Sequence, residues 1–343
     1  MFNQLLLLFL NYARYKRGAA YICTYNGAKF LGEQLDSIVS QSLSPYEVIA
    51  QDDGSSDETW NILLEYAERY PYIKVYKNPK ERGINNNFFS AIKRATGDLI
   101  AISDQDDIWE SNKLEIMSES IGDNLMCVGR SVPFYCKEDK NISIHYDSRK
   151  PNCNIIRMMY ASMPGHCTLF RKELLTFLPK NLESCSIYTH TWYDVILGQT
   201  AAALNRIILI DKIVVKQRRY QGAASYSAYD KKRIRSANNA LSMIGFGIRY
   251  YHKIKPLMAK HFAVRAGFLK TIPSEERIYK DAIKLMDYES KTSITALLGL
   301  IKMYVKYRHI LFYTYEKDPI AILRAILHPF MQIYNYKYLL EKD

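Results

Sequence analysis

Three carboxylates fall within four residues at Asp104-Gln105-Asp106-Asp107. Like charges this close repel and raise one another's pKa unless a cation or hydrogen-bond donors compensate. Mg2+ or Mn2+ would meet that need, because hard cations take one or two carboxylates together with phosphate oxygens. A solvated turn with one Asp capping a helix near Trp109 would account for the same residues without a cation. A calcium loop of EF-hand type does not fit. Counted from Asp104, the sixth position needs Gly and is Trp109; counted from Asp53, the twelfth needs Glu and is Leu64. A second acidic cluster, Asp52-Asp53-Gly54-Ser55-Ser56-Asp57, reads as a tight turn, in which a carboxylate at a strand tip could accept the imide N–H of uracil or thymine. Neither G-x-G-x-x-G after a strand nor G-x-x-x-x-G-K-[ST] occurs, which disfavours a dinucleotide fold and a P-loop.

Both clusters need elements that hold them, and the pattern supplies these. Ala19–Thr24, Tyr46–Ala50, Ile73–Tyr76 and Leu99–Ser103 are short apolar runs that read as strands. Between them, Leu31, Leu35, Ile38 and Val39 recur at helical spacing, as do Trp60, Leu63, Leu64 and Ala67, and then Phe88, Phe89, Ile92 and Ala95. Ser55-x-x-Glu58 has the form of a capping box for the second of these helices. Alternating strands and helices imply a largely parallel sheet flanked by helices. Ligands of such sheets bind beyond the carboxyl ends of the strands. Thr24–Gly27, Asp52–Asp57 and Asp104–Asp107 each follow a strand end. Farther on, residues 193–204 read as helix, 207–215 as strand, and everything beyond 231 as helical with breaks near Pro256, Pro273, Pro319 and Pro329.

The 343 residues exceed one typical domain, and 48% hydrophobic with 24% charged residues excludes wholesale disorder. Residues 231–343 hold 21 Lys+Arg against 9 Asp+Glu, a net of +12 that equals the whole chain's charge, so residues 1–230 are neutral overall. A neutral body with a basic appendage favours an anionic surface. Thr292–Ile301 is uncharged for only ten residues, too short to span a bilayer, and Lys302, Lys306 and Arg308 follow it among apolar residues. That segment suits an interfacial helix on anionic lipid, or a helical cap packed on the body. The six Cys show no C-x-x-C and no zinc spacing, which fits reduced thiols in a cytoplasmic protein. Leu5–Leu10 is too short for a spanning helix, and the cations after it lie on the wrong side for a secretory signal. Asn141-Ile-Ser143 therefore reads as a coincidence, not a glycosylation site.

Five segments occur in order: Tyr21–Gly27, Gln41-Ser42-Leu43, Val48–Asp57, Ala95-Thr96-Gly97-Asp98 and Asp104–Trp109. Together this set resembles the family 2 inverting glycosyltransferases of GT-A fold, in the bacterial rhamnosyltransferase-like branch, over about residues 19–225. The resemblance implies a GT-A domain at 19–228 between an N-terminal extension (1–18) and a basic, α-helical C-terminal region (229–343). It implies a nucleotide-sugar donor as co-substrate, a glycan or lipid-linked glycan acceptor, and a divalent metal, Mg2+ or Mn2+. Thr24, Tyr25, Asn26 and Asp53 would hold the donor's nucleoside, with Arg82 and Asn87 nearby. Asp104 and Asp106 match the metal and diphosphate motif, with Asp106 as the direct ligand. The family's acceptor-side acid corresponds to Asp194, eleven residues before Asn205-Arg206-Ile207, and is expected to act as base. Trp192 precedes it, and His166 lies in a turn that resembles the acceptor side. After the last strand, relatives often carry Arg-x-His or Arg-Arg-His, whereas this chain has Gln217-Arg218-Arg219-Tyr220, so Tyr220 takes the His position. Arg218 or Arg219, with Arg219 preferred, would contact the diphosphate. The Q-x-x-R-W of processive synthases is absent, which implies transfer of a single sugar in surface polysaccharide, O-antigen or capsule assembly at the inner face of the membrane. A nucleotidylyltransferase would need a Gly-rich basic loop that Tyr25-Asn26-Gly27-Ala28-Lys29 does not match. Nucleic acid is not an expected partner, since no such motif occurs in the basic region.

Overall fold

The computed structural model describes residues 18–135, 152–220, 240–312 and 317–341. The expected N-terminal extension, Asn141-Ile-Ser143, Cys136 and the basic run at 231–235 lie outside these residues. Four strands form the parallel half of one eight-stranded sheet: β1 (Gly18–Thr24), β2 (Glu47–Asp52), β3 (Ile73–Lys77) and β4 (Leu99–Ser103). They lie in the order β3-β2-β1-β4, and every residue of β2 and β4 is buried, as strands covered on both faces must be. The helices that cover them are α1 (Ala28–Val39), α2 (Thr59–Arg69) and α3 (Ile84–Ile92). Beyond β4 the sheet becomes mixed. β7 (Thr168–Arg171) runs antiparallel to β4 and to β6 (Met126–Tyr135). β8 (Ile207–Arg219) is parallel to β6 and pairs at its far edge with the two-residue β5 (Ile108–Trp109).

Two of the ordered motifs turn out to be joints. The buried carboxylate of Glu47 accepts the backbone N–H groups of Thr96 (2.7 Å) and Gly97 (2.9 Å), which fixes the turn into β4. Gln41 donates to the carbonyl of Glu110 (2.8 Å) and accepts from the N–H of Leu114 (3.0 Å) in α4 (Lys113–Ser120). It thereby anchors the segment that leaves the acidic cluster. The capping box does not form. Glu58 precedes α2 without a side-chain cap, and Asp57 accepts the N–H of Thr59 (3.1 Å) instead. Ser55 is held by Asp52, so its hydroxyl is not at the helix start.

The second half of the body adds α5 (Ile155–Met158), α6 (Ser186–His190) and α7 (Tyr193–Ala203). The basic region forms α8 (Ala240–Leu269), α9 (Arg277–Glu289), α10 (Ile294–Lys306), α11 (Arg308–Leu311) and α12 (Ile320–Asn335). The four longer helices pack in a ring, α8 on α9, α9 on α10, α10 on α12 and α12 on α8. Each gives one polar side chain to the centre. Lys255 of α8 pairs with Glu289 of α9 (2.5 Å), and the Tyr304 hydroxyl of α10 lies within hydrogen-bond distance of Glu289 and of Gln332 (3.1 Å) of α12. Tyr160 of the body also reaches Glu289 (3.1 Å). Burying such a pair is unfavourable unless every remaining lone pair finds a donor, and here the hydroxyls supply them. Arg265 to the Met159 carbonyl and Ser274 to the Ala203 carbonyl (2.6 Å) tie the helices to the body. These contacts pack the region on the body as a helical cap.

Candidate active site

The carboxyl ends of β1, β2 and β4 converge, and their side chains lock the loops there together. Asp52 accepts the buried Thr24 hydroxyl (3.0 Å) and the N–H groups of Gly54 (3.1 Å) and Ser55 (2.9 Å). Asn26, at φ 47°, accepts the N–H of Ser56 (2.9 Å) through its side chain. Asp53 accepts from Asn78 (2.6 Å) and from the N–H of Gly83 (2.9 Å), which draws the loop before α3 to the tip of β2. Tyr25 lies at the exposed lip, with the Arg82 guanidinium 4.8 Å from its ring centroid and bonded to its hydroxyl. Tyr25, Asn26, Asp53 and Arg82 are thus brought together. Two residues expected at the donor have side chains engaged within the protein. The Thr24 hydroxyl faces inward onto Asp52, and Asn87 is buried with its amide engaged at both ends by Gln51 (2.9 and 3.2 Å), so both support β2.

The acidic cluster is joined to this lip by Gln105, whose amide accepts the Tyr25 N–H (2.8 Å) and donates to the Tyr25 carbonyl (3.0 Å). A Cβ on Gly27 would stand 2.3 Å from Gln105 Oε1, so only glycine leaves room for the clasp. His166, expected on the acceptor side, is 3% exposed and lies beneath the cluster. Its Nδ1 is 3.0 Å from Asp104 and 3.4 Å from Asp107. Burial alone would depress this imidazole, but Cys167 and the two carboxylates outweigh it, and its pKa stands well above the ordinary value. Asp107 is pushed up to about 7, first by burial and then by Asp104 and Asp106 against the opposing His166. Buried Lys113 donates to the carbonyls of Ile102 (3.1 Å) and His166 (2.6 Å); burial brings its pKa down to about 7. Asp104, Asp107 and His166 each offer a ligand atom within 4.8 Å of the others. Asp106 stands beside this group, raised by burial and Asp104, and accepts the Tyr220 hydroxyl (2.8 Å). The tyrosine at the relatives' histidine position therefore still meets the cluster.

Arg218 reaches it too. Its backbone N–H donates to Asp107 (2.9 Å), and its guanidinium donates to the Asp106 carbonyl (2.8 Å) and pairs with Glu33 (2.9 Å), between the Phe30 and Phe134 rings. It is committed to holding the loop. Arg219 alternates to the other face of β8. On the far wall, Trp192 is 51% exposed just before α7, and Asp194 in its first turn accepts the N–H of Val195 (2.8 Å). Burial, and after it the charge of Asp104, push Asp194 up to about 6, while His166 acts in the opposite sense. Asp194 thus lies near enough to the acidic cluster to feel the charge of Asp104. Tyr193, stacked on Phe88 at 3.4 Å between centroids, fixes this helix start against α3. Gln105 and Lys113 were not singled out as site residues from sequence, and Arg218 entered only as the alternative to Arg219. A strand parity that turns Arg218 and Arg219 to opposite faces was the one available signal.

A family model described as glycosyl transferase family 2 matches residues 20–177. Over 184 residues the chain is 30% identical to the dTDP-rhamnosyl transferase RfbG of Shigella flexneri, which covers 50% of this chain and 63% of that protein. Over 93 residues it is 34% identical to the UDP-Glc:alpha-D-GlcNAc-diphosphoundecaprenol beta-1,3-glucosyltransferase WfgD of Escherichia coli, 27% of this chain and 36% of that one. The chain spans less than two thirds of the length of either relative. Among solved structures, residues 1–349 of S. aureus TarS in complex with UDP-GlcNAc align with a TM-score of 0.55 at 15% identity, covering 95% of this chain and 92% of that one, which speaks for a shared fold. Motif order, sheet architecture and the family match agree: residues 20–177 match glycosyl transferase family 2, on a sheet of the GT-A fold.

Proposed function

We propose that this chain transfers one sugar, with inversion and without processive extension, from a nucleotide-sugar donor to an acceptor hydroxyl. The observation that carries the reading is that Asp194 feels the charge of Asp104, in an acidic cluster whose Gln105 clasps Tyr25 at the lip built with Asp53. Tyr25, Asn26, Asp53 and Arg82 hold the base and ribose. Asp194, held at about 6, is ionised near pH 7 and more basic than an ordinary carboxylate, which suits it to take the acceptor hydroxyl's proton as the glycosidic bond forms. Trp192 offers its exposed indole face to the acceptor sugar.

Two carboxylates and an imidazole within 4.8 Å make a donor set that suits Mn2+ or Mg2+. Asp104, Asp107 and His166 would hold the ion, with Asp106 adding charge beside it. When bound, such an ion stabilises negative charge on a leaving diphosphate. Arg218, Gln105 and Lys113 position the loop that carries these ligands. The name of the Shigella relative points to a dTDP-deoxyhexose donor, and that of the Escherichia relative to a lipid-diphosphate acceptor in surface polysaccharide assembly. Titration with UDP-, dTDP- and GDP-sugars in the presence of Mn2+ tests the reading. Saturable binding of one of them supports it, and binding of none overturns it.

A further inference from the structure

Helix α12 is apolar on both sides. Its inner side buries Ala321, Ala325, Pro329, Gln332 and Ile333 against the ring of helices. Its outer side carries Ile320, Leu323 and Ile326 at 59%, 56% and 39% exposure. At 100° per residue these three fall within one 120° sector. Residues 319–335 hold a single formal charge, Arg324. On neighbouring α10, Ile294 and Leu298 are 77% and 61% exposed one turn apart. Large apolar side chains this exposed, in a row, mark a surface that docks on something.

The charge around them says what. The region from 231 onward carries all of the chain's net +12. Exposed Lys317 precedes α12 and Lys337 follows it. A second copy of this chain seated on the stripe would bring two such basic regions together, whereas anionic phospholipid headgroups would be attracted to it. The helix is 16 residues long, about 24 Å, short of the ~30 Å of a hydrocarbon core, and no helix among the described residues is long and apolar enough to cross a membrane. We infer that the outer face of α12 lies in the headgroup region of an anionic bilayer, with Ile320, Leu323 and Ile326 inserted and the surrounding lysines on the phosphates. This goes beyond sugar transfer, and donor binding measured on the same preparations keeps the two readings separate.

The test is co-sedimentation of the full chain with phosphatidylcholine vesicles, with and without phosphatidylglycerol. The chain is expected to pellet with the anionic vesicles only, and less so at high salt. Ile320→Gln/Leu323→Gln should weaken that partitioning about ten-fold or more, since it replaces the two most exposed apolar side chains of the α12 row. Its circular dichroism and melting should match the parent, because both positions are exposed. A Leu323→Asp variant serves as a second, independent disruption. Wild-type chain left in the supernatant, equal pelleting with neutral vesicles, or unchanged pelleting of both variants overturns the inference. So does a dimer in light scattering that the variants abolish, which would assign the stripe to a second copy.

Discussion

Replacing Asp194 by Asn should make the protein both inactive and more stable, and the stability gain should depend on pH in one direction. Burial, then Asp104, hold the folded-state pKa at about 6, above the ordinary carboxylate value. A shift of about two units corresponds to roughly 3 kcal/mol of unfavourable ionisation in the folded state. That cost is absent below about pH 4, where the carboxyl is protonated in folded and unfolded chains alike, and grows as pH rises through about 6. Asn keeps the acceptor for Val195 N–H but loses the charge at the start of α7, which returns about 0.5–1 kcal/mol. The expected gain for Asp194→Asn is therefore about 2 kcal/mol at pH 8, fading towards pH 4. Turnover should fall by about 10²–10⁴, the usual contribution of a positioned base. Urea denaturation of both proteins at pH 8 and pH 4.5 measures the first effect, and sugar transfer measures the second. Loss of stability at pH 8, or the same difference at both pH values, would refute the reasoning and leave Asp194 as a helix-start residue.

Mn2+ affinity, followed by electron paramagnetic resonance of the free ion, should drop about ten-fold or more in Asp104→Ala and in His166→Ala. It should stay within about three-fold in Asp106→Asn, whose carboxylate holds Tyr220. Loss confined to Asp106→Asn would return the ion to the Asp104 and Asp106 pair. In the helical ring, Lys255→Met leaves Glu289 buried without its cation and should cost about 3–5 kcal/mol in urea denaturation, with Lys255→Met/Glu289→Gln recovering at least half. A single-variant cost below about 1 kcal/mol would show that the pair is relieved by water or protonation.

The parallel half of the sheet was legible because its strands are buried on both faces and so appear as unbroken apolar runs such as Ala19–Thr24. In the mixed half, β8 was read as the strand 207–215, but β6 and β7 were not read. β7 has only four residues, and β6 passes from buried to partly exposed positions along its length, so neither gives a clean period. The lip at the ends of β1 and β2 was legible through Asp53 and Tyr25, which sit next to strand ends in the chain. The Asp104, Asp107 and His166 group was only half legible, because His166 arrives from 62 residues away by way of β7. Ser55 showed a capping pattern yet bonds to Asp52, since the loop carboxylate offers a nearer partner than the helix start. Residue type does not separate Arg218 from Arg219; the alternation of β8 does, and it turns Arg218 to the acidic loop.

The most direct measurement is calorimetric titration of UDP-, dTDP- and GDP-sugars into the Mn2+-loaded chain, repeated with Asp53→Ala. Saturable binding of one donor class, weakened about ten-fold or more in Asp53→Ala at a temperature well below that variant's melting point, is the expected result. No binding by any nucleotide sugar, or binding untouched by loss of the Asp53 carboxylate, would contradict a donor cleft at the ends of β1, β2 and β4.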